Sequence, residues 1–105
     1  MNPEIKRQWL AALRSGKYEQ ITHRLAADGG FCCLGVLCEI LPDNSKEKIG
    51  ESRELYAYFS HSSTLPPEIQ NRAEIPDGVS GTLSTMNDDQ RKTFPEIADW
   101  IEANL

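Results

Sequence analysis

Three cysteines, Cys32, Cys33 and Cys38, fall within seven positions, and the chain holds only two histidines, His23 and His61. A thiol nucleophile needs a base to take its proton, so cysteine catalysis here would have to pair Cys32 or Cys33 with one of those imidazoles. The two adjacent cysteines stand where the turn Gly29–Gly30 enters an apolar run, and a helix starting there would favour the thiolate. Asn87 or Asp88 would then orient the imidazole, as the third member of such a set does. Nothing in the spacing demands that arrangement. The competing reading is that cysteines in an apolar run are small buried hydrophobes, and it is the simpler one.

Other chemistries find less support. Cys32, Cys33, Cys38 and His23 are four possible soft ligands, but zinc knuckles use Cys-x-x-Cys, and adjacent cysteines do not bend around one ion. Glu74, Asp77, Asp88 and Asp89 lack the spacing of a calcium loop and read as caps or solvated loop residues. Gly29–Gly30 lacks the Lys and Ser or Thr of a phosphate-binding loop. No metal and no cofactor is implied. A ligand site remains open through Tyr18, Tyr56 and Tyr58, with Trp9 and Trp100, set among Arg24, Arg53 and Arg72. Aromatic platforms with a few basic groups hold nucleotides or peptides. The alternative is that these rings complete a small core.

The elements that must position these residues can be read along the chain. Asn2 caps a first helix, Pro3 fits its first turn, and Ile5, Trp9, Leu10 and Leu13 make its apolar face before Gly16. Ile21, His23 and Leu25 alternate with Thr22 and Arg24, which predicts a short strand ending at the turn Asp28–Gly30. Between Phe31 and Leu41 only Gly35 and Glu39 lack a hydrophobic side chain. Leu34, Leu37, Cys38 and Leu41 share a helical face and Pro42 stops it, so this segment is read as the buried central helix. Gly35 then permits close approach of a neighbouring backbone.

Pro42–Arg53 reads as a surface loop, and Leu55–Phe59 as a second strand pairing with Ile21–Leu25. Pro66–Glu68 starts a further helix that turns at Pro76–Gly78. Another follows, capped by Ser80 or Thr82 and ending at Asn87–Asp89. Thr93 and Glu96 form a capping box for the last helix, whose stripe is Phe94, Ile97, Ala98, Ile101 and Leu105. The fold class is α+β: one globular domain over 1–105, four or five short helices around a buried central helix, and a minor two-stranded sheet.

Composition narrows the function classes. The 105 residues suit one core. The net charge of −5 comes entirely from residues 46–105, while residues 1–45 balance. No cluster of Lys and Arg suggests direct nucleic-acid binding. The apolar run is too short to span a membrane, and the first stretch does not read as an export signal. Free thiols without such a signal point to the cytoplasm.

Several motifs together carry a resemblance. Trp9, Ala12 and Leu13 precede Gly16, Tyr18 and Gln20; Cys32–Cys38 reads Cys-Cys-Leu-Gly-Val-Leu-Cys; Leu65–Glu68 reads Leu-Pro-Pro-Glu. Leu83, Met86, Asn87 and Asp88 follow, then Thr93, Phe94, Glu96, Ile97 and Ala98. In these the chain resembles a set of small uncharacterised proteins encoded by bacteriophages, prophages and some bacteria. The resemblance implies an accessory protein in the bacterial host cytoplasm that binds a host protein or sequesters a small molecule. From the residues, the leading expectation is a binding protein. A small-molecule or nucleotide-binding module and a cysteine-dependent hydrolase or transferase stand as alternatives.

Overall fold

Helix α1 (Pro3–Arg14) begins where the Asn2 side chain accepts the Ile5 N–H at 3.0 Å, with Pro3 in the first turn. It ends at Ser15, and Gly16 follows at φ +74°. A computed structural model describes all 105 residues of the chain.

The sheet is mixed and larger than the expected ribbon. Strands β1 (Glu19–Gln20), β2 (Ala26–Ala27), β3 (Gly30–Phe31), β4 (Lys46–Lys48) and β5 (Leu55–Tyr58) lie in the order β1-β3-β2-β5-β4. Only β1 and β3 run parallel. Asp28 and Gly29 join β2 to β3 with φ of +51° and +84°, the two positive values that a tight Asp-Gly hairpin turn requires. Ile21–Leu25 is not a strand. His23 adopts φ +68°, which breaks the alternation, and Asp88 Oδ1 accepts its backbone N–H at 3.0 Å. Pairing with Leu55–Tyr58 falls instead to Ala26–Ala27. Lys46–Lys48, expected in a loop, forms the edge strand; its all-charged sequence shows no apolar alternation, and such residues protect an open edge.

Cys32 precedes helix α2 (Cys33–Ile40), which stops at Leu41 in extended backbone, the conformation that the following proline imposes. Helix α3 (Pro67–Ala73) starts at the proline pair. Helix α4 (Val79–Asp88) starts after Gly78 at φ +86° with no side-chain cap, earlier than a Ser80 or Thr82 cap would have it, and ends as expected. Helix α5 (Phe94–Asn104) has the anticipated capping box: Thr93 N–H donates to Glu96 Oε1 at 2.9 Å and Glu96 N–H to Thr93 Oγ1 at 3.3 Å. The class is therefore α+β with five helices, as expected.

One hydrophobic cluster joins these elements: α1 packs on α5 and α2, and α2 packs on α4. Trp9 is fully buried and its indole N–H donates to the Cys33 carbonyl at 3.0 Å. Every residue of α2 from Cys33 to Cys38 is buried, confirming it as the central helix. Phe31, Ala26 and Tyr56 form one row across the sheet, with Tyr58 on the same face. That face looks toward α2, because Tyr58 Oη reaches Glu39 Oε2 at 3.3 Å.

Candidate functional site

Four of the residues considered for cysteine catalysis do converge. Asn87 is 1% exposed. Its Oδ1 accepts from Cys33 N–H at 3.2 Å and from Gln20 Nε2 at 2.9 Å, while its Nδ2 donates to the Ile21 carbonyl at 2.9 Å and to Asp88 Oδ1 at 2.8 Å. Asp88 holds the His23 backbone, and its Oδ2 lies 3.6 Å from His23 Nδ1. Gln20 extends the network to the start of α5, donating to the Lys92 carbonyl at 2.8 Å and accepting from Phe94 N–H at 3.1 Å. All four polar positions of the Asn87 amide are used inside the protein. The cluster is a joint between the β1–β2 loop, α2, α4 and α5.

The thiols do not complete a reactive set. Cys32, Cys33 and Cys38 are free and buried. Burial pushes the Cys32 thiol up to about 11 and drives Cys33 and Cys38 upward as well. The helix end favours a thiolate only at Cys32, whose Sγ accepts from Gly35 N–H at 3.4 Å, and burial outweighs that bond; the Cys33 N–H is taken by Asn87. Cys33 Sγ faces the Leu83 carbonyl at 3.7 Å, and His61 sits apart beside Thr64. Iodoacetamide at neutral pH should therefore label none of the three until the protein is unfolded. A raised thiol pKa also stabilises the folded state below the unfolded value of about 8.5. That contribution is lost as pH rises toward about 11. Urea midpoints should fall across this alkaline window, less steeply in Cys32→Ala; an unchanged slope would contradict the assignment.

The aromatic residues scatter into structural roles. Tyr18 meets Phe31 edge-on with centroids 5.5 Å apart. Lys46 Nζ lies 4.6 Å from the Tyr56 ring centre and 2.6 Å from Glu39 Oε2, fastening β4 over the sheet. Tyr58 is fully buried. Tyr18, Tyr56 and Tyr58 therefore form no open platform. Arg72 is drawn to the Pro42 and Asp43 carbonyls beyond the end of α2. No group of three His, Cys, Asp or Glu side chains stands close enough to hold a metal ion.

Of the residues expected around a ligand, Arg24 and Arg53 lead to a concave site. They line an open depression of about 490 Å³ together with Arg91, and with Glu19, Thr22 and Asp28. The three arginines come from three connections: β1–β2, β4–β5 and α4–α5. Arg53 Nη2 lies 2.7 Å from Asp28 Oδ2, and its hydrogen bonds hold the Asp28 carboxyl below the usual range. Arg24 has only a 3.4 Å contact with Ser63 Oγ, and Arg91 has no partner in the chain. The remaining arginines are all engaged: Arg7 by Glu4, Arg14 by Asp99 and Glu102, Arg72 by backbone carbonyls. The depression thus concentrates the unspent guanidinium groups of an acidic chain. Arg24 and Arg53 were visible as basic residues near aromatics; Arg91, after Asp88–Gln90, carried no signal of its own.

No helix is long and apolar enough to cross a membrane. The family described as a domain of unknown function (DUF8296) matches residues 1–80, which include every strand and the cysteine helix. No curated protein and no solved structure matches the chain.

Proposed function

We propose that this chain, which belongs to the family of the domain of unknown function DUF8296, is a binding protein of the accessory kind encoded by phages and mobile elements. It engages a host protein in the bacterial cytoplasm by seating an acidic group of that partner among Arg24, Arg53 and Arg91. The observation that carries this reading is the pair of guanidinium groups without an ion-pair partner, Arg24 and Arg91, on one open depression. Net charge does not oppose it. At physiological salt, charges beyond about 8 Å are largely screened, so a docked acid responds to the nearby arginines more than to the overall −5.

The volume also suits a second reading, capture of a small anionic molecule, since ligand pockets of this size are common. A nucleotide is a poorer fit, because no aromatic ring lines the depression to stack on a base.

Charge reversal tests the main reading. Tagged wild-type protein should capture a host protein from bacterial lysate, and the double variant Arg24→Glu/Arg91→Glu should lose it. A control, Lys17→Glu on the exposed segment after α1, should retain it. Added salt should weaken capture by the wild type. Capture that survives the double reversal would remove the depression from the interface.

A further inference from the structure

We infer that the group seated in the arginine depression is a phosphoryl group. The inference rests on the depression being the docking site and goes further by naming what is docked. A carboxylate presents two oxygens in one plane, and a single arginine satisfies both with two parallel hydrogen bonds. Three arginines arriving from three separate connections oversupply donors to such a group. A phosphoryl group presents three acceptor oxygens arranged tetrahedrally and carries between one and two negative charges near neutral pH. Planar donor forks borne on three separate connections around one depression suit a ligand with that many acceptors.

The depression keeps a net positive balance. Glu19 and Asp28 line it as well, so the arginines exceed the carboxylates by one. One of the three guanidinium groups is already committed: Arg53 pairs with Asp28 through Nε at 3.2 Å and Nη2 at 2.7 Å, both on Oδ2. That leaves Arg53 Nη1 free while the Asp28 pair stays intact. A more highly charged ligand draws on Arg24, Arg91 and this remaining donor together. Thr22, also on the lining, supplies a hydroxyl of the kind that accompanies arginine at anion sites. The absence of a lining aromatic ring points to a phosphoryl group without a base, carried on a protein side chain or on a small molecule.

Amide and arginine side-chain signals of the 15N-labelled protein report on this directly. Three probes are titrated at constant ionic strength: inorganic phosphate, a short phosphoserine peptide, and the same peptide with glutamate in place of phosphoserine. Phosphate and the phosphopeptide should shift Thr22, Ala27, Asp28 and the three arginine side chains to saturation. The glutamate peptide should bind roughly tenfold more weakly or less, and Arg24→Ala/Arg91→Ala should weaken phosphate by at least that factor. Neither arginine makes an ion pair within the fold, so an otherwise superimposable spectrum verifies that the variant is folded. A phosphopeptide tighter than phosphate identifies a protein-borne group; equal affinity identifies a small phosphate. Equal binding of the glutamate and phosphoserine peptides overturns the phosphoryl assignment and leaves the acidic-partner reading standing. Saturation by no probe also overturns it, and capture lost on charge reversal would then confine the failure to the phosphoryl assignment.

Discussion

Replacing Asn87 with leucine is expected to lower the unfolding free energy by about 3–5 kcal/mol, close to the whole stability of a marginal domain. The side chain is almost fully buried and makes four hydrogen bonds. Leucine fills a similar volume and makes none. The Cys33 N–H and the Ile21 carbonyl would be left without these partners, and each orphaned buried polar group costs about 1–3 kcal/mol. Gln20 would keep its contacts with Lys92 and Phe94 but lose the acceptor that holds it from the other side. Asn87→Asp separates hydrogen bonding from packing, because it preserves shape while replacing both amide donors and setting a carboxylate beside Asp88. Its loss should be large at neutral pH and partly recovered in acid, where protonation removes the repulsion. Urea denaturation measures both, as a fall in midpoint at unchanged slope. A leucine variant within about 1 kcal/mol of wild type would mean that the joint relaxes without it.

The same joint bears on binding. Asn87 and Asp88 hold Ile21 and His23, on the connection that carries Arg24, while Gln20 holds Lys92 beside Arg91. Two arms of the depression are therefore set by one buried network. An asparagine variant that still folds should bind less well even though Asn87 does not line the depression.

What the sequence revealed and concealed follows from the range of each signal. Thr93 with Glu96, and Asn2 with Pro3, are local devices, so both terminal helices were readable. The apolar run gave the central helix because its bulk and the proline stop lie within a few turns. The strands of β1, β2 and β3 are only two residues long, too short for a period of two to show. Ile21–Leu25 displayed that period and is not a strand, since His23 takes a left-handed conformation fixed by Asp88 at 65 positions' distance. Asn87 was legible as a helix end but not as a buried hub, because all but one of its hydrogen bonds join distant parts of the chain. The arginine depression is concealed for the same reason: three connections meet there, and no spacing records their meeting.

Gly35→Ala supplies the sharpest test of the central helix, because two ordinary expectations give opposite signs. In an unobstructed helix interior, alanine stabilises by about 1 kcal/mol relative to glycine. At Gly35 a methyl carbon would stand 2.6 Å from the Leu25 carbonyl carbon and 3.0 Å from its Cα, and closer still to its oxygen. Those atoms are backbone, so no side-chain rotation relieves the overlap. The helix would have to lift from the segment that leads into β2, loosening Leu25, Leu34 and Cys38, all of them at most 1% exposed. A net loss of about 3 kcal/mol or more is expected. Gly81→Ala provides the matched control: Gly81 lies within α4, and a methyl there meets nothing within 4 Å. It should gain up to about 1 kcal/mol. Opposite signs for the two glycines, measured by chemical denaturation side by side, would establish that α2 rests backbone to backbone on Leu25. A stabilised Gly35→Ala variant would show that it does not, and would detach the cysteine helix from the residue that anchors Arg24.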